Sequence, residues 1–168
     1  SVSFFISALK ESFGGNAGNI AYTLSLFGEQ PSIIGTAGND FAPYEKWLSE
    51  HGIDLSLIAR EENYRTAFAT IMTDKKDNQI TAFYPGAMPV PYPLSNLALT
   101  KDDFVIISPS NPETMRALPE KCRAIAHGFM YDPGQQIPIL SKEDLKDGIT
   151  GAKALIVNDY ELELVREK

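Results

Sequence analysis

Three short apolar runs, at 104–108 (FVIIS), 129–132 (FMYD) and 154–158 (ALIVN), are each followed by a stretch with helical character. Continuous apolar strands, as opposed to strands that alternate apolar and polar residues, belong in a sheet covered on both faces. Strands of that kind separated by helices make right-handed βαβ units, and so a buried parallel sheet. The helices are expected at 112–126, after Ser141 as N-cap, and from about Asp159.

The first half reads differently. Apolar positions 20, 21, 24 and 27 form a helical stripe stopped by Gly28, and 32–36 (SIIGT) is a short strand candidate. Asp40 is expected to cap a helix that runs to about Glu50, with Pro43 in its first turn and Gly52 after it. The runs 66–73 (TAFATIMT) and 79–84 (QITAFY) are rich in β-branched and aromatic residues and flank the polar turn 74–78, which predicts a hairpin. Pro85, Pro89, Pro91 and Pro93 then mark a stiff connector. The fold class is therefore α/β, with a small β elaboration in the first half.

Composition removes several functions. Twenty-two acidic residues against fifteen basic ones give a net charge of −7, and each half of the chain is acidic, so the positive footprint of a nucleic-acid binder is missing. The apolar runs are too short to span a membrane. Cys122 is the single cysteine, which rules out an internal disulfide framework. His51 and His127 each precede a glycine that would end a helix, where an imidazole meets the negative end of the helix dipole. With no Cys/His pairing, transition-metal and thiol chemistry are poorly supported.

Ligands of open parallel sheets bind beyond the carboxyl ends of the strands. Here those ends read Ser108-Pro109-Ser110-Asn111, Asp132-Pro133-Gly134-Gln135-Gln136 and Asn158-Asp159-Tyr160-Glu161. Turn-forming preference accounts for the first of these. It accounts poorly for Gln135 and Gln136, whose amides suit hydrogen bonding to a base or sugar edge. A second cluster, Gly14-Gly15-Asn16-Ala17-Gly18-Asn19, opens a helix and is open to two readings, a tight turn or a ligand loop. It fits neither the dinucleotide fingerprint nor the P-loop.

The order Gly14-Gly15-x-Ala17-x-Asn19-x-Ala21, then Gly28, then Gly38 followed by Asp40-Phe41, resembles the first signature of the PfkB (ribokinase-like) family of carbohydrate and nucleoside kinases. Asn158-x-x-Glu161 after a strand resembles that family's Asn-x-x-Glu motif. The stretches 81–88 (TAFYPGAM), 132–136 (DPGQQ) and 158–161 (NDYE) are similar to its bacterial adenosine-kinase-like branch. The resemblance implies a ribokinase-like, mostly parallel sheet flanked by helices, with a small β lid. It makes 1–168 a partial kinase domain, with lid elements mainly within 1–13 and 53–88 and an α/β core at 14–52 and 100–168.

The resemblance also implies roles. Gly15 and Asn19 fall where the family contacts sugar hydroxyls, and Ser3 and Phe4 fall on a lid segment near the nucleoside. Gln79 and Phe83 lie on the lid hairpin, and Gln135 and Gln136 match a pair that lines the nucleoside pocket. Asn158 and Glu161 match the motif that organises Mg²⁺ and the transferred phosphate, with Glu161 acting through ordered water. Blander readings stand beside these: Asn19 as a helix cap, Phe83 as lid core, and Glu161 as an acid favoured in a first helical turn.

The family's terminal Asp-Thr-x-Gly-Ala-Gly-Asp, which carries the catalytic base, is not found in these residues. Thr150-Gly151-Ala152-Lys153 precedes Asn158, lacks the second glycine and has lysine at the base position. The expectation is a piece of a kinase, incomplete at both ends, that supplies the acceptor-binding part and no catalytic base. The complete enzyme would transfer phosphate from ATP to a hydroxyl of adenosine or a related nucleoside or sugar. A ribokinase- or fructokinase-like sugar kinase and a non-catalytic nucleoside- or sugar-binding module are the alternatives. A cytoplasmic location and a homodimer paired through the lid complete the expectations.

Overall fold

A computed structural model describes residues 5–125 and 128–168. The elements in chain order are α1 (Asn16–Leu26), β1 (Gly35–Gly38), α2 (Ala42–Glu50), β2 (Ile58–Glu61), β3 (Phe68–Thr73), β4 (Gln79–Tyr84), β5 (Val105–Ile107), α3 (Pro112–Ile125), β6 (Phe129–Tyr131), α4 (Lys142–Ile149), β7 (Ala154–Leu155) and α5 (Asp159–Glu167). Short 3-10 turns at Leu94–Asn96 and Gly134–Gln136 complete the order. No helix among the described residues is long and apolar enough to cross a membrane.

The parallel strands fall into two ladders. β5, β6 and β7 form one, with β6 central, and β1 and β2 form the other, with Gly35 opposite Ile58. The β3–β4 hairpin is a separate antiparallel pair, Phe68 opposite Tyr84 and Thr73 opposite Gln79. Residues 58–61, inside the 53–88 stretch, therefore pair with β1 and not with the hairpin.

Alternation of side chains along a strand distributes the core. Ile33 and Ile58 face a cluster with Ala21, Ala37, Phe41, Leu48 and Ile53, between α1, α2 and the β1–β2 pair. Their neighbours Ile34, Leu57 and Ala59 pack on the opposite side, against the larger cluster of Val105, Ile107, Met115, Leu118, Phe129, Tyr131, Ile137, Leu140 and Leu145. The β1–β2 pair is thus covered on both faces, as a parallel pair must be.

Two local expectations are corrected. The strand expected at 32–36 runs at 35–38 instead: Ser32 makes a single bridge to Asp54, and the continuous ladder needs the partner carbonyls of β2. Asp40 does not cap α2, whose N-cap is Phe41 without a side-chain bond. The Asp40 carboxylate turns instead to residues 65 and 66, as described below. Ser141 does cap α4 through a reciprocal capping box with Asp144. His51 is the C-cap of α2, its Nδ1 2.7 Å from the Trp47 carbonyl, whereas His127 lies outside the described residues. Burial pushes the Cys122 thiol up to about 11, which makes it an inert core side chain.

Candidate functional site

Parallel pairing of β5, β6 and β7 brings all three carboxyl ends to one edge of the sheet. After β5, Asn111 caps α3: its Oδ1 accepts from the N–H groups of Glu113 (2.8 Å) and Thr114 (3.2 Å). After β6, the Gly134–Gln136 turn folds back beside it, and Gln136 Nε2 donates to the Ser110 carbonyl at 2.9 Å. Gln136 is buried, and its Oε1 has no partner among the described residues. A buried acceptor without a donor costs about 1–3 kcal/mol, so a bound N–H or O–H would relieve it. Gln135 is exposed beside it.

After β7, Asn158 and Glu161 form a reciprocal capping box. Asn158 Oδ1 accepts from the Glu161 N–H at 2.8 Å, and the Glu161 carboxylate accepts from the Asn158 N–H at 2.9 Å. The spacing Asn-x-x-Glu therefore has a structural role, fixing the first turn of α5. It also holds Glu161 where it acts on a neighbour. Burial, and after it the charge of Glu161, pushes the Asp132 carboxyl above its ordinary range, against a lowering hydrogen bond from the Gly134 N–H. Carboxylates that follow two adjacent strands are donors of the kind a hard divalent cation takes, and a Mg²⁺ held partly through water would fit so sparse a donor set. No group of three His, Cys, Asp or Glu side chains able to hold a metal occurs among the described residues.

The glycine cluster lies on another element. Gly15 is the N-cap of α1 at φ 90°, in the left-handed region that favours glycine, and open space surrounds the place a Cβ would occupy. Asn19 is the fourth residue of α1, whose N-cap is Gly15, so it is not the cap; its side chain is exposed and makes no hydrogen bond among the described residues. Tyr44 fixes the loop from behind, donating from its hydroxyl to the Gly14 carbonyl at 3.0 Å while its ring stacks on Phe13 at 4.6 Å. Gln79 and Phe83 share one face of the hairpin with Ile71 and Thr81, and among the described residues no hydrogen bond joins Gln79 to the strand ends. Phe83 is 56% exposed, so lid core does not describe it. Ser3 and Phe4 lie outside the described residues. The 150–153 stretch is the turn from α4 into β7, with Thr150 as the C-cap.

Asp132 escaped sequence reasoning because aspartate before Pro-Gly reads as an ordinary turn former. The available signal was its position at a strand end next to the strand that leads to Glu161. Asn111 escaped for the same reason, and beyond capping α3 it donates from Nδ2 to the Pro89 carbonyl at 2.7 Å, tying down the chain that returns from the hairpin.

A family model described as "pfkB family carbohydrate kinase" matches residues 6–168. A nucleoside kinase from Methanocaldococcus jannaschii is 32% identical over 163 residues, which cover 94% of this chain and 52% of the relative. A nucleoside kinase from Methanothermobacter thermautotrophicus is 28% identical over 171 residues, covering 97% of this chain and 54% of the relative. Among solved structures, Burkholderia thailandensis nucleoside kinase in complex with inosine superposes with a TM-score of 0.84 at 34% identity, covering 100% of this chain and 55% of that one. The chain spans about half the length of the relatives it matches.

Proposed function

The chain belongs to the PfkB family of carbohydrate kinases, and on that footing we propose that the whole protein transfers the γ-phosphoryl group of ATP to a hydroxyl of a nucleoside. The observation that carries the reading is the edge at the ends of β5–β7, where Gln136 has an unpartnered buried amide oxygen and the Asp132 carboxyl is raised by burial and by the charge of Glu161.

In this reading Gly15 and Asn19 bind the ribose hydroxyls, the first through its open backbone and the second through its uncommitted amide. Gln135 and Gln136 meet the base, with Gln136 Oε1 accepting from it. Ser3, Phe4, Gln79 and Phe83 belong to the lid, and the exposed Phe83 ring packs on the ligand when the lid closes and excludes water. Asn158 orients Glu161 through the capping box, and Glu161 with Asp132 would hold Mg²⁺ through water. When bound, the ion neutralises the charge of the transferred phosphate.

The hairpin supports a homodimer. Phe68, Met72, Ile80 and Tyr84 line the face opposite Gln79 and Phe83, all are exposed, and a second lid would bury them. A cytoplasmic location, where ATP is available, accompanies this reading.

The test is an acceptor panel with MgATP on the full-length protein, comparing adenosine and inosine with free ribose and fructose. Phosphorylation of the nucleosides is expected. Turnover of free sugars alone would replace this reading with a sugar kinase, and ligand binding without any turnover would replace it with a binding module.

A further inference from the structure

Among the described residues, the hydrogen bonds that orient the hairpin gather at its root. Every residue of β3 and β4 is exposed, so packing along its length does not fix it. The root, by contrast, is bound into the turn that follows β1. Asp40 Oδ1 accepts from the Thr66 N–H and Asp40 Oδ2 from Arg65 Nε, both at 2.7 Å. The Gly38 N–H donates to Thr66 Oγ1 at 3.1 Å, and Asn39 donates from its N–H to the Tyr64 carbonyl and from Nδ2 to the Glu62 carbonyl, each at 2.9 Å. On the returning leg the Ala87 N–H donates to the Arg65 carbonyl at 2.9 Å.

Two glycines make this junction possible. A Cβ on Gly38 would run into the backbone of 64–66, and a Cβ on Gly86 would run into the Arg65 carbonyl oxygen. The Arg65–Thr66 peptide is therefore clamped between the β1 turn and the end of the hairpin. From the clamp the contact chain continues outward: the Arg65 guanidinium lies 5.2 Å from the Phe68 ring centroid, and Phe68 meets Tyr84 across the strands at 5.2 Å. Six residues of strand make a lever about 20 Å long, so a root rotation of about 10° carries the tip about 3.5 Å. That displacement is enough to make or break a hydrogen bond from Gln79.

We propose that Asp40 is a positioning residue: with Arg65 it forms a latch that sets the angle of the hairpin to the core and so governs capture of the acceptor. The part of this that concerns the acceptor rests on the proposed nucleoside kinase reading. The latch itself does not. The side chain that looks like a helix cap in the sequence acts as the fulcrum of the lid.

The experiment compares Asp40→Asn, Arg65→Ala and Asp40→Glu with the wild type in the full-length protein. Amide exchange at 66–68 and 79–87 should accelerate about tenfold in Asp40→Asn and Arg65→Ala, the scale of one lost charge-assisted hydrogen bond, while exchange in α3 stays unchanged. The acceptor KM should rise by about the same factor with kcat and the ATP KM little altered, and Asp40→Glu should recover part of the loss. Unchanged exchange at the root, or equal acceleration in α3, overturns the latch. Accelerated exchange with acceptor and ATP KM rising together overturns its role in acceptor capture. A wild-type protein that phosphorylates no nucleoside overturns the proposed function instead, and the exchange measurement still decides the latch.

Discussion

The β3–β4 hairpin and the β5–β6–β7 sheet are built from similar residues and meet opposite fates. FATIMT and QITAFY, like VII and FMY, consist mostly of β-branched and aromatic residues, yet every residue of the first pair is exposed while Phe129 and Tyr131 are fully buried. The difference lies in what covers them. α3 and α4 pack together beside the parallel sheet, and the cluster of Met115, Leu118, Ile137, Leu140 and Leu145 closes around it. Among the described residues, the hairpin's hydrogen bonds to the core gather at its root. One region is held by burial; the other is held by a junction and leaves its faces exposed.

The largest expected effect falls on the buried region. Phe129→Ala should cost about 3–5 kcal/mol in denaturant unfolding of the full-length protein, the usual range for a deleted core aromatic. A cost below about 1 kcal/mol would mean that the sheet is not the stabilising core and would break the comparison.

Next comes the edge where the sheet meets its chemistry. Glutamine at N3 still serves a capping box, so Glu161→Gln should leave the melting temperature nearly unchanged. Phosphoryl transfer should nevertheless fall about 10–100-fold with a raised Mg²⁺ requirement, as for other losses around a metal site. A drop in stability matching the drop in rate would make Glu161 a cap and nothing more.

Asp132 sharpens the same boundary. Its folded-state carboxyl is held above the ordinary 3.8, so folding favours its protonated form and stability is lost as pH rises through that range. Asp132→Asn should therefore stabilise the protein at pH 7 while lowering activity. Asp40, Asp54 and Asp144 have the opposite sign. Partial burial opposes the lowering at Asp40, and the Thr66 N–H and Arg65 overcome it. The Ser56 and Ser141 N–H groups lead the lowering at Asp54 and Asp144. The stability these three contribute is present above their ordinary 3.8 and disappears as pH falls through the still lower folded values. Acid unfolding monitored by circular dichroism, with and without Asp132→Asn, checks both signs.

The smallest effect on stability belongs to the hairpin. Ile80→Ser, on its apolar face, should change the folding stability of the monomer by less than about 0.5 kcal/mol. It should nonetheless abolish dimerisation seen by light scattering, if a second lid is what covers that face. A dimer that persists would remove the proposed pairing and leave the difference in burial intact.

Much of this was legible in the sequence, and the reasons are local. Short apolar strands between helices specify parallel pairing because only a sheet covered on both faces accommodates them. The hairpin was legible because Asp74 and Asn78 carry the turn chemistry that their positions demand, with the Asp74 carboxylate accepting from Lys76, from the Asn78 N–H and from its side chain. Local spacing also placed Asn158 and Glu161 at one helix start, and motif order identified the family. What depended on distant partners stayed out of reach. Whether Asp40 caps its own helix or grips the residues 65 and 66 is a competition between two acceptor geometries, and the winner depends on where β2 delivers the chain. Asp132 acquires its raised carboxyl from burial and from a residue on the next strand, and Gln136 loses its partner only after folding back onto Ser110. Sequence alone determined which residue types reach the strand ends, because periodicity and turn preference act over a few residues. Tertiary structure alone decided which of them are paired, buried or left open, because desolvation and long-range hydrogen bonding exist only once the chain has closed.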